Sequence, residues 1–183
     1  MLLKCALGAG LLLMAGCSDK AGANTPPPAP AIATFPAAAA GGACALLDYD
    51  AIAAALGVRF DVAAASRYDK TSACVVQAEG AARPDLMLSV VPSSADATML
   101  AKDIAPDGAT TVKGLGKAAY RATRSAAKGS GPVAEVAWLT ADKKLLTLRY
   151  TLPAGEPKAA ADALAGKLVT LAKQLPSGAK AAG

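Results

Sequence analysis

Ser125 and Lys128 are the first residues in this chain whose types and spacing could perform chemistry. An S-x-x-K pattern supplies a serine nucleophile when the serine begins a buried helix, because the lysine then lies one turn away against the hydroxyl. Here the next residues, GSGP over 129–132, stop a helix from propagating. The partner motifs S-D-N and K-T-G are absent from the sequence, and the domain is small, so this pattern does not predict catalysis.

Two further patterns have structural explanations that outweigh a functional one. Asp48 and Asp50 could bind a cation, but they lie where a helix is predicted to begin, a position that acidic residues favour without a metal. The glycines of Gly114-Leu115-Gly116 could cradle a phosphate only if a helix followed them. Residues 118–120 indicate a strand instead, so the glycines predict a tight turn. The sequence therefore assigns no metal ligand and no cofactor.

Composition narrows the functional classes further. The 183 residues include no histidine, which excludes Ser-His-Asp and Cys-His catalysis and histidine-ligated metal sites. Alanine accounts for 48 residues and buries little area, so the core must come from a modest set of larger aliphatic residues. The formal charge of +5 is dispersed along the chain, and aromatic residues make up only 4%. A nucleic-acid partner is therefore not predicted.

The first 17 residues predict export and lipidation. Lys4 supplies a positive n-region, and residues 6–15 form an apolar stretch that is too short to span a bilayer, for which about 20 residues are needed. The segment ends in LMAGC (13–17), which resembles the lipobox of bacterial lipoproteins. This implies a signal peptide over 1–16 and a lipid anchor on Cys17, where two or three acyl chains attach stably to a membrane. The alternative, a core helix with an incidental cysteine, would have no polar face.

A tether and one domain are expected to follow the anchor. Ser18, directly after the lipidated cysteine, favours the outer membrane facing the periplasm over the inner membrane. Residues 17–42 contain five prolines and lack apolar periodicity, so they are expected to form a disordered linker. A single domain is expected over 43–176, with a disordered tail over 177–183.

The apolar pattern within this domain predicts an α+β fold, an antiparallel sheet covered by two or three helices. A first helix is expected to begin after Asp48 and to end at Gly57. A last helix is expected to begin near Pro157, with an apolar stripe formed by leucines at 164, 168, 171 and 175. Between these helices, strands are predicted at 74–78, 86–91, 110–112, 118–122, 133–139 and 145–152, and a short helix capped by Ser93 or Ser94 at 94–104.

Two groups of side chains remain to be placed in this fold. Trp138, Tyr120 and Tyr150 could line a binding groove, but aromatic residues in strands more often belong to the core.

Once Cys17 is lipidated and Cys5 is removed with the signal, Cys44 and Cys74 remain. An even pair in an exported protein is typical of a disulfide, which over about 30 residues would contribute roughly 3–4 kcal/mol. A redox or metal pair is the alternative, although C-x-x-C and histidine are both absent.

Several segments together resemble a family of small bacterial lipoproteins of unknown function. Members of this family open with Cys-x-Leu-Leu, an acidic helix and Ala-Leu-Gly, followed by a second cysteine and a Gly-Leu-Gly-x-x-Ala-Tyr turn. The matching segments here are CALLDYDAIAAALG (44–57), Cys74 and VKGLGKAAY (112–120). The resemblance implies an α+β domain, similar to the PsbP/Mog1 type, and a disulfide between Cys44 and Cys74. It implies no enzyme activity.

The expected function is therefore that of a lipid-anchored cell-envelope protein with a non-catalytic binding or interaction domain. Its expected partners are the membrane, through the N-terminal lipid anchor, and an envelope protein or other envelope component. The alternative is an envelope hydrolase that uses an unrecognised Ser-Lys or carboxylate site. A third class is a structural accessory within an envelope complex.

Overall fold

A computed structural model describes residues 35–176 of the chain. The predicted signal peptide, Cys17, most of the predicted linker and the predicted tail lie outside the described residues. The described part belongs to one compact unit. Its strands are β1 (Val62–Tyr68), β2 (Thr71–Gln77), β3 (Asp85–Pro92), β4 (Thr110–Thr111), β5 (Ala118–Arg124), β6 (Val133–Leu139) and β7 (Lys144–Thr151). Its α-helices are α1 (Tyr49–Leu56), α2 (Ala97–Met99) and α3 (Lys158–Gln174).

The seven strands form one antiparallel sheet in the order β1-β2-β3-β7-β6-β5-β4. The fold is therefore α+β, as predicted. Strands β3 and β7 are distant in sequence but adjacent in the centre, where β3 pairs with β7 along eight residue positions. The β6–β7 hairpin places Leu139 opposite Leu145 and Glu135 opposite Arg149. Because side chains alternate along each strand, this register decides which residues share a face.

One face of the sheet carries the main core under α1 and α3. Leu86, Leu88, Val136 and Leu148 project from the central strands of this face and are completely buried. Helix α3 supplies its predicted apolar stripe, in which Leu168 and Leu171 have no exposed surface. Burial of such side chains contributes roughly 1.5–3 kcal/mol each, so this layer provides much of the stability of the domain.

Helix α1 begins and ends as the sequence predicts. Asp48 accepts a hydrogen bond from the backbone N–H of Ala51 at 2.8 Å, which satisfies one of the free donors at the helix start. Gly57 follows the helix with φ = 76°, the left-handed conformation that glycine adopts without strain. Leu47, just before the helix, and Ile52, within it, are both buried in the main core.

The disulfide between Cys44 and Cys74 is present. Cys44 lies in a 3-10 helix, Gly42–Leu46, and Cys74 lies in β2. Both cysteines are completely buried in the main core. The bond therefore joins the start of the domain to the sheet.

The opposite face of the sheet has a smaller covering. Helix α2 continues into a π-helical turn, Leu100–Ile104, and Leu100 packs against Tyr120 and Leu139. Of the described helices, this segment alone contributes to the cluster on that face. The rest of this face is formed by strand side chains.

Three details differ from the sequence-based predictions. The folded domain begins before residue 43, because a 3-10 helix, Ala37–Ala40, places Ala37 in the core with 1% exposure. Strand β1 was not predicted, since its run of alanines shows no alternation between apolar and polar residues. The cap of α2 is Asp96, which accepts from the N–H of Met99 at 2.9 Å, rather than Ser93 or Ser94.

Candidate functional site

The structure does not assemble the serine-lysine pair that the sequence contains. Residues 125–127 have no regular secondary structure, and Lys128 begins a turn that includes Gly129. No hydrogen bond joins Ser125 to Lys128 in the described part of the chain. The arrangement therefore lacks the helix that would place the amine against the hydroxyl.

Asp48 and Asp50 also serve other purposes. Asp48 caps α1, and Asp50 lies 3.4 Å from Arg59 in an exposed ion pair. Within residues 35–176, no group of three or more potential metal-ligating side chains comes together. Cys44 and Cys74 thus form the disulfide, Asp48 caps a helix, and Asp50 forms a surface ion pair.

The three aromatic residues considered for a groove belong instead to the core, and they lie on opposite faces of the sheet. Trp138 and Tyr150 lie on the face under α3 with 4% and 2% exposure, and Tyr120 lies on the other face with 7%. They therefore do not form a common groove. Tyr120 nevertheless donates a hydrogen bond to Glu135, a buried carboxylate.

Glu135 is a buried carboxylate on β6, surrounded by side chains from both neighbouring strands. Its side chain is 3% exposed, although it lies on the less covered face of the sheet. Tyr120 of β5 donates its hydroxyl to Oε1 at 3.0 Å. Arg124 of β5 donates from Nη2 to Oε2 at 2.7 Å. Arg149 of β7 donates to the same oxygen from Nε at 3.0 Å and from Nη2 at 2.8 Å.

The charge of this cluster is distributed unevenly between interior and surface. The arginine side chains are 46% and 35% exposed, while the carboxylate that they share is almost completely covered. Two guanidiniums and one carboxylate leave a formal charge of +1, and the positive charges face the solvent. We call the surface formed by Arg124 and Arg149 over Glu135 the arginine face.

The environment of Glu135 also affects the tyrosine. Burial, reinforced by the negative charge of Glu135, raises the pKa of Tyr120 from 10.0 to about 12. Its hydroxyl therefore remains a hydrogen-bond donor over the physiological pH range. Oε1 of Glu135 therefore keeps a hydrogen-bond donor, while Oε2 accepts from the two arginines.

A similar arrangement occurs at the start of β3. Asp85 belongs to the same sheet face by register, since it lies opposite Thr151. Its side chain is 12% exposed, and its Oδ1 lies 3.4 Å from Nε of Arg83, which is 41% exposed. Here too the acid is covered and the guanidinium reaches the solvent.

The Glu135 cluster was not predicted from the sequence, although the signal for it is present. The predicted strands 133–139 and 145–152 form a hairpin, and pairing Leu139 with Leu145 places Glu135 opposite Arg149. The other two members, Tyr120 and Arg124, come from β5. No local sequence pattern specifies the register between β5 and β6. Tertiary pairing therefore completes the site.

Comparison with known proteins returned no match to a family model, a curated protein or a solved structure. The resemblance to small bacterial lipoproteins therefore stays a prediction. Across residues 35–176, no helix combines the length and apolar character needed to cross a bilayer.

Proposed function

We propose that this chain is a lipid-anchored cell-envelope protein whose domain binds an acidic segment of an envelope protein, without catalysis. The arginine face is the observation that carries this proposal. The N-terminal lipobox pattern supports the anchor, and Ser18 favours the outer membrane facing the periplasm. The binding function and the anchor rest on different residues and can be tested separately.

Glu135 positions the two arginines. A shared carboxylate between adjacent guanidiniums offsets their mutual repulsion, and its buried hydrogen bonds restrict the rotamers of both side chains. A ligand that meets an ordered arginine pair loses less conformational entropy on binding. The cluster thus has the properties of a preorganised binding surface.

Unused donors remain on both arginines. Among the described residues, Arg124 donates only from Nη2, and Arg149 donates only from Nε and Nη2. Nε and Nη1 of Arg124 and Nη1 of Arg149 are left to meet a ligand. Planar N–H groups of this kind match the geometry of a carboxylate.

A protein segment fits this surface better than a small ligand does. Thr147 and Arg149 of β7 and Met87 and Ser89 of β3 lie on the same side of the sheet and are half-buried. They form a sheet surface beside the arginines, which suits an extended chain that presents aspartate or glutamate side chains. Association would be favoured by charge and weakened by salt.

The test uses a fluorescently labelled peptide of alternating glutamate and serine and the chain from residue 17 onward carrying Cys17→Ser. We expect saturable binding that weakens as salt is added. Arg124→Gln should weaken it about tenfold, since loss of about 1.4 kcal/mol of binding free energy corresponds to that factor. Arg59→Gln removes an exposed arginine outside the arginine face and should leave the affinity unchanged.

Two results would overturn the proposal. One is equal binding of a matched peptide in which glutamine replaces glutamate. The other is an equal effect of Arg124→Gln and Arg59→Gln. Thermal unfolding of each variant, followed by circular dichroism, confirms that a loss of binding does not reflect a loss of fold.

A further inference from the structure

A cavity separate from the arginine face lies between the α2 segment and the β4–β5 hairpin. Its volume is about 650 Å³, within the range of about 300–1,000 Å³ typical of small-molecule sites. It is lined by residues from 97–109 on one side and from 111–120 on the other. Two consecutive parts of the chain therefore form its two sides.

Part of the cavity lining, which we call its floor, consists of apolar side chains. Leu100 and Leu115 line it and are 2% and 6% exposed. The remaining apolar lining is mostly alanine, whose small side chains leave the volume unfilled. The ring of Tyr120 completes this surface. Such a floor favours an aliphatic or aromatic ligand body, because contact removes apolar area from water.

The charged residues of the lining are mostly positive. Lys102, Lys113 and Lys117 line the cavity, and Asp107 is the single acid among the lining residues. None of these three lysine side chains makes an ion pair or a hydrogen bond within residues 35–176. Nζ of Lys173 lies 3.8 Å from the position that a Cβ on Gly114 would occupy, which brings a fourth ammonium group to the same loop. An anion here would meet three ammonium groups that form no ion pair with a carboxylate of the described residues.

The loop that carries two of these lysines is held closely against the sheet. Gly116 has φ = 57°, and a Cβ there would overlap the carbonyl oxygen of Leu139 and lie 3.2 Å from the indole of Trp138. Lys117 donates its backbone N–H to that same carbonyl at 2.7 Å. The sheet therefore fixes the backbone between the lysines, and the cavity is formed before any ligand binds.

We propose that this cavity binds a small amphipathic anion, with a carboxylate or phosphate head group among the lysines and an apolar body on the alanine and leucine floor. The site is separate from the arginine face, because its cations are lysines of the α2 segment and the β4–β5 loop. Tyr120 is common to both, since it lines the cavity and donates its hydroxyl to Glu135. Charge complementarity selects the head group, and the limited volume of the cavity selects a monomeric ligand.

The single tryptophan of the chain provides the readout. Trp138 is not itself a lining residue, but its Cδ1 would lie 3.2 Å from a Cβ at Gly116, which lines the cavity, so occupancy should change its fluorescence. The chain from residue 17 onward with Cys17→Ser is titrated with decanoate, decyl phosphate, decyltrimethylammonium and decyl glucoside, each below its micelle concentration. We expect saturation by decanoate, decyl phosphate or both, and none by the cationic or neutral amphiphile. The two anionic arms identify the preferred head group.

Matched variants test the assignment to this cavity. Lys113→Gln with Lys117→Gln should weaken binding of the anion at least about tenfold, the factor that corresponds to about 1.4 kcal/mol. Lys70→Gln with Lys128→Gln removes the same charge from the β1–β2 turn and the β5–β6 loop and should leave binding unchanged. Ala101→Phe, at an exposed lining position, should block the cavity without removing charge.

Several outcomes would overturn the proposal. These are equal binding of decyltrimethylammonium, an equal effect of the two lysine pairs, or no effect of Ala101→Phe. Binding only to phosphatidylglycerol vesicles, with no response to either monomeric anion, would assign the lysines to a membrane surface instead.

Discussion

Tyr120 and Glu135 form a buried hydrogen bond between adjacent strands, 3.0 Å from hydroxyl to Oε1. They are not opposite each other in the register, since Tyr120 lies opposite Ala137 and Glu135 lies opposite Ala122. The bond is therefore a diagonal contact across the β5–β6 pair, within reach of a long aromatic side chain. It connects the small core under α2 to the carboxylate that orders the two arginines.

Replacing Glu135 with glutamine should destabilise the domain. Glutamine keeps the shape of the side chain but removes the charge that accepts from Arg124 and Arg149, and hydrogen bonds to charged groups contribute about 1.5–3 kcal/mol. We expect the free energy of unfolding in urea to fall by roughly 2 kcal/mol. Asp50→Asn, at a side chain that is 89% exposed, is the control; loss of its exposed ion pair and of its charge at the helix start should lower the free energy of unfolding by less than about 1 kcal/mol. A Glu135→Gln variant as stable as the control would contradict a structural role for the carboxylate.

Two buried tyrosines should make stability depend on alkaline pH. Burial and a nearby carboxylate raise the pKa values of Tyr120 and Tyr150 from 10.0 to about 12 each. Because these values are raised in the folded state, the associated stability is fully present below about pH 10 and is lost as the pH rises through about 12. A pH series of urea unfolding curves should show this decline. In the folded protein, Tyr120→Phe should remove one phenolate step near pH 12 from the ultraviolet absorbance titration, and an unchanged titration would contradict the assignment.

Removal of the disulfide should lower stability without abolishing the sheet. Cys44 and Cys74 are separated by 30 residues, and closing a loop of this length contributes roughly 3–4 kcal/mol through the entropy of the unfolded chain. The double variant Cys44→Ala, Cys74→Ala should lose about this amount in urea unfolding. Reductant should shift the unfolding midpoint of the wild type toward that of the variant while leaving the variant itself unaffected. A wild type insensitive to reductant under denaturing conditions would contradict this account.

Processing at the N-terminus can be tested without reference to the domain. If the proposed lipobox is used, Cys17→Ala should accumulate unprocessed precursor in a bacterial expression host, because in lipoproteins the lipid is attached to the thiol before cleavage. Intact mass spectrometry should show a wild-type chain that begins at Cys17 with attached acyl groups and a variant that begins at Met1. A variant that is cleaved and acylated normally would contradict the lipobox interpretation. Ser125→Ala is the matched control and should not alter processing.

The elements predicted most accurately are those whose signals are local. Helix α1 is specified by Asp48 at one end and Gly57 at the other, and both act within a few residues of the helix. Strand β6 agrees with its predicted bounds, and α3 follows from the leucine spacing. The disulfide was predicted from a count of cysteines, on the expectation that the chain is exported and that Cys5 and Cys17 do not take part.

Other features depend on contacts that the sequence does not display. Strand β1 contains a run of three alanines, which suit either face of a sheet, so only its pairing with β2 identifies it as a strand. Asp96 rather than Ser93 or Ser94 caps α2, and the hydroxyl of Ser93 instead accepts from the backbone N–H of Ala95 at 3.1 Å, before the helix begins.

The sequence by itself determined the α+β class, the two cysteines that form the disulfide, Cys44 and Cys74, and the absence of histidine chemistry. Tertiary structure alone decided that Glu135, Arg124 and Arg149 share one surface and that the lysines at 102, 113 and 117 surround one cavity. The physical reason is that caps, turns and periodicity act over a few residues. The register between β5 and β6 and the packing of α2 instead depend on burial summed over the whole core.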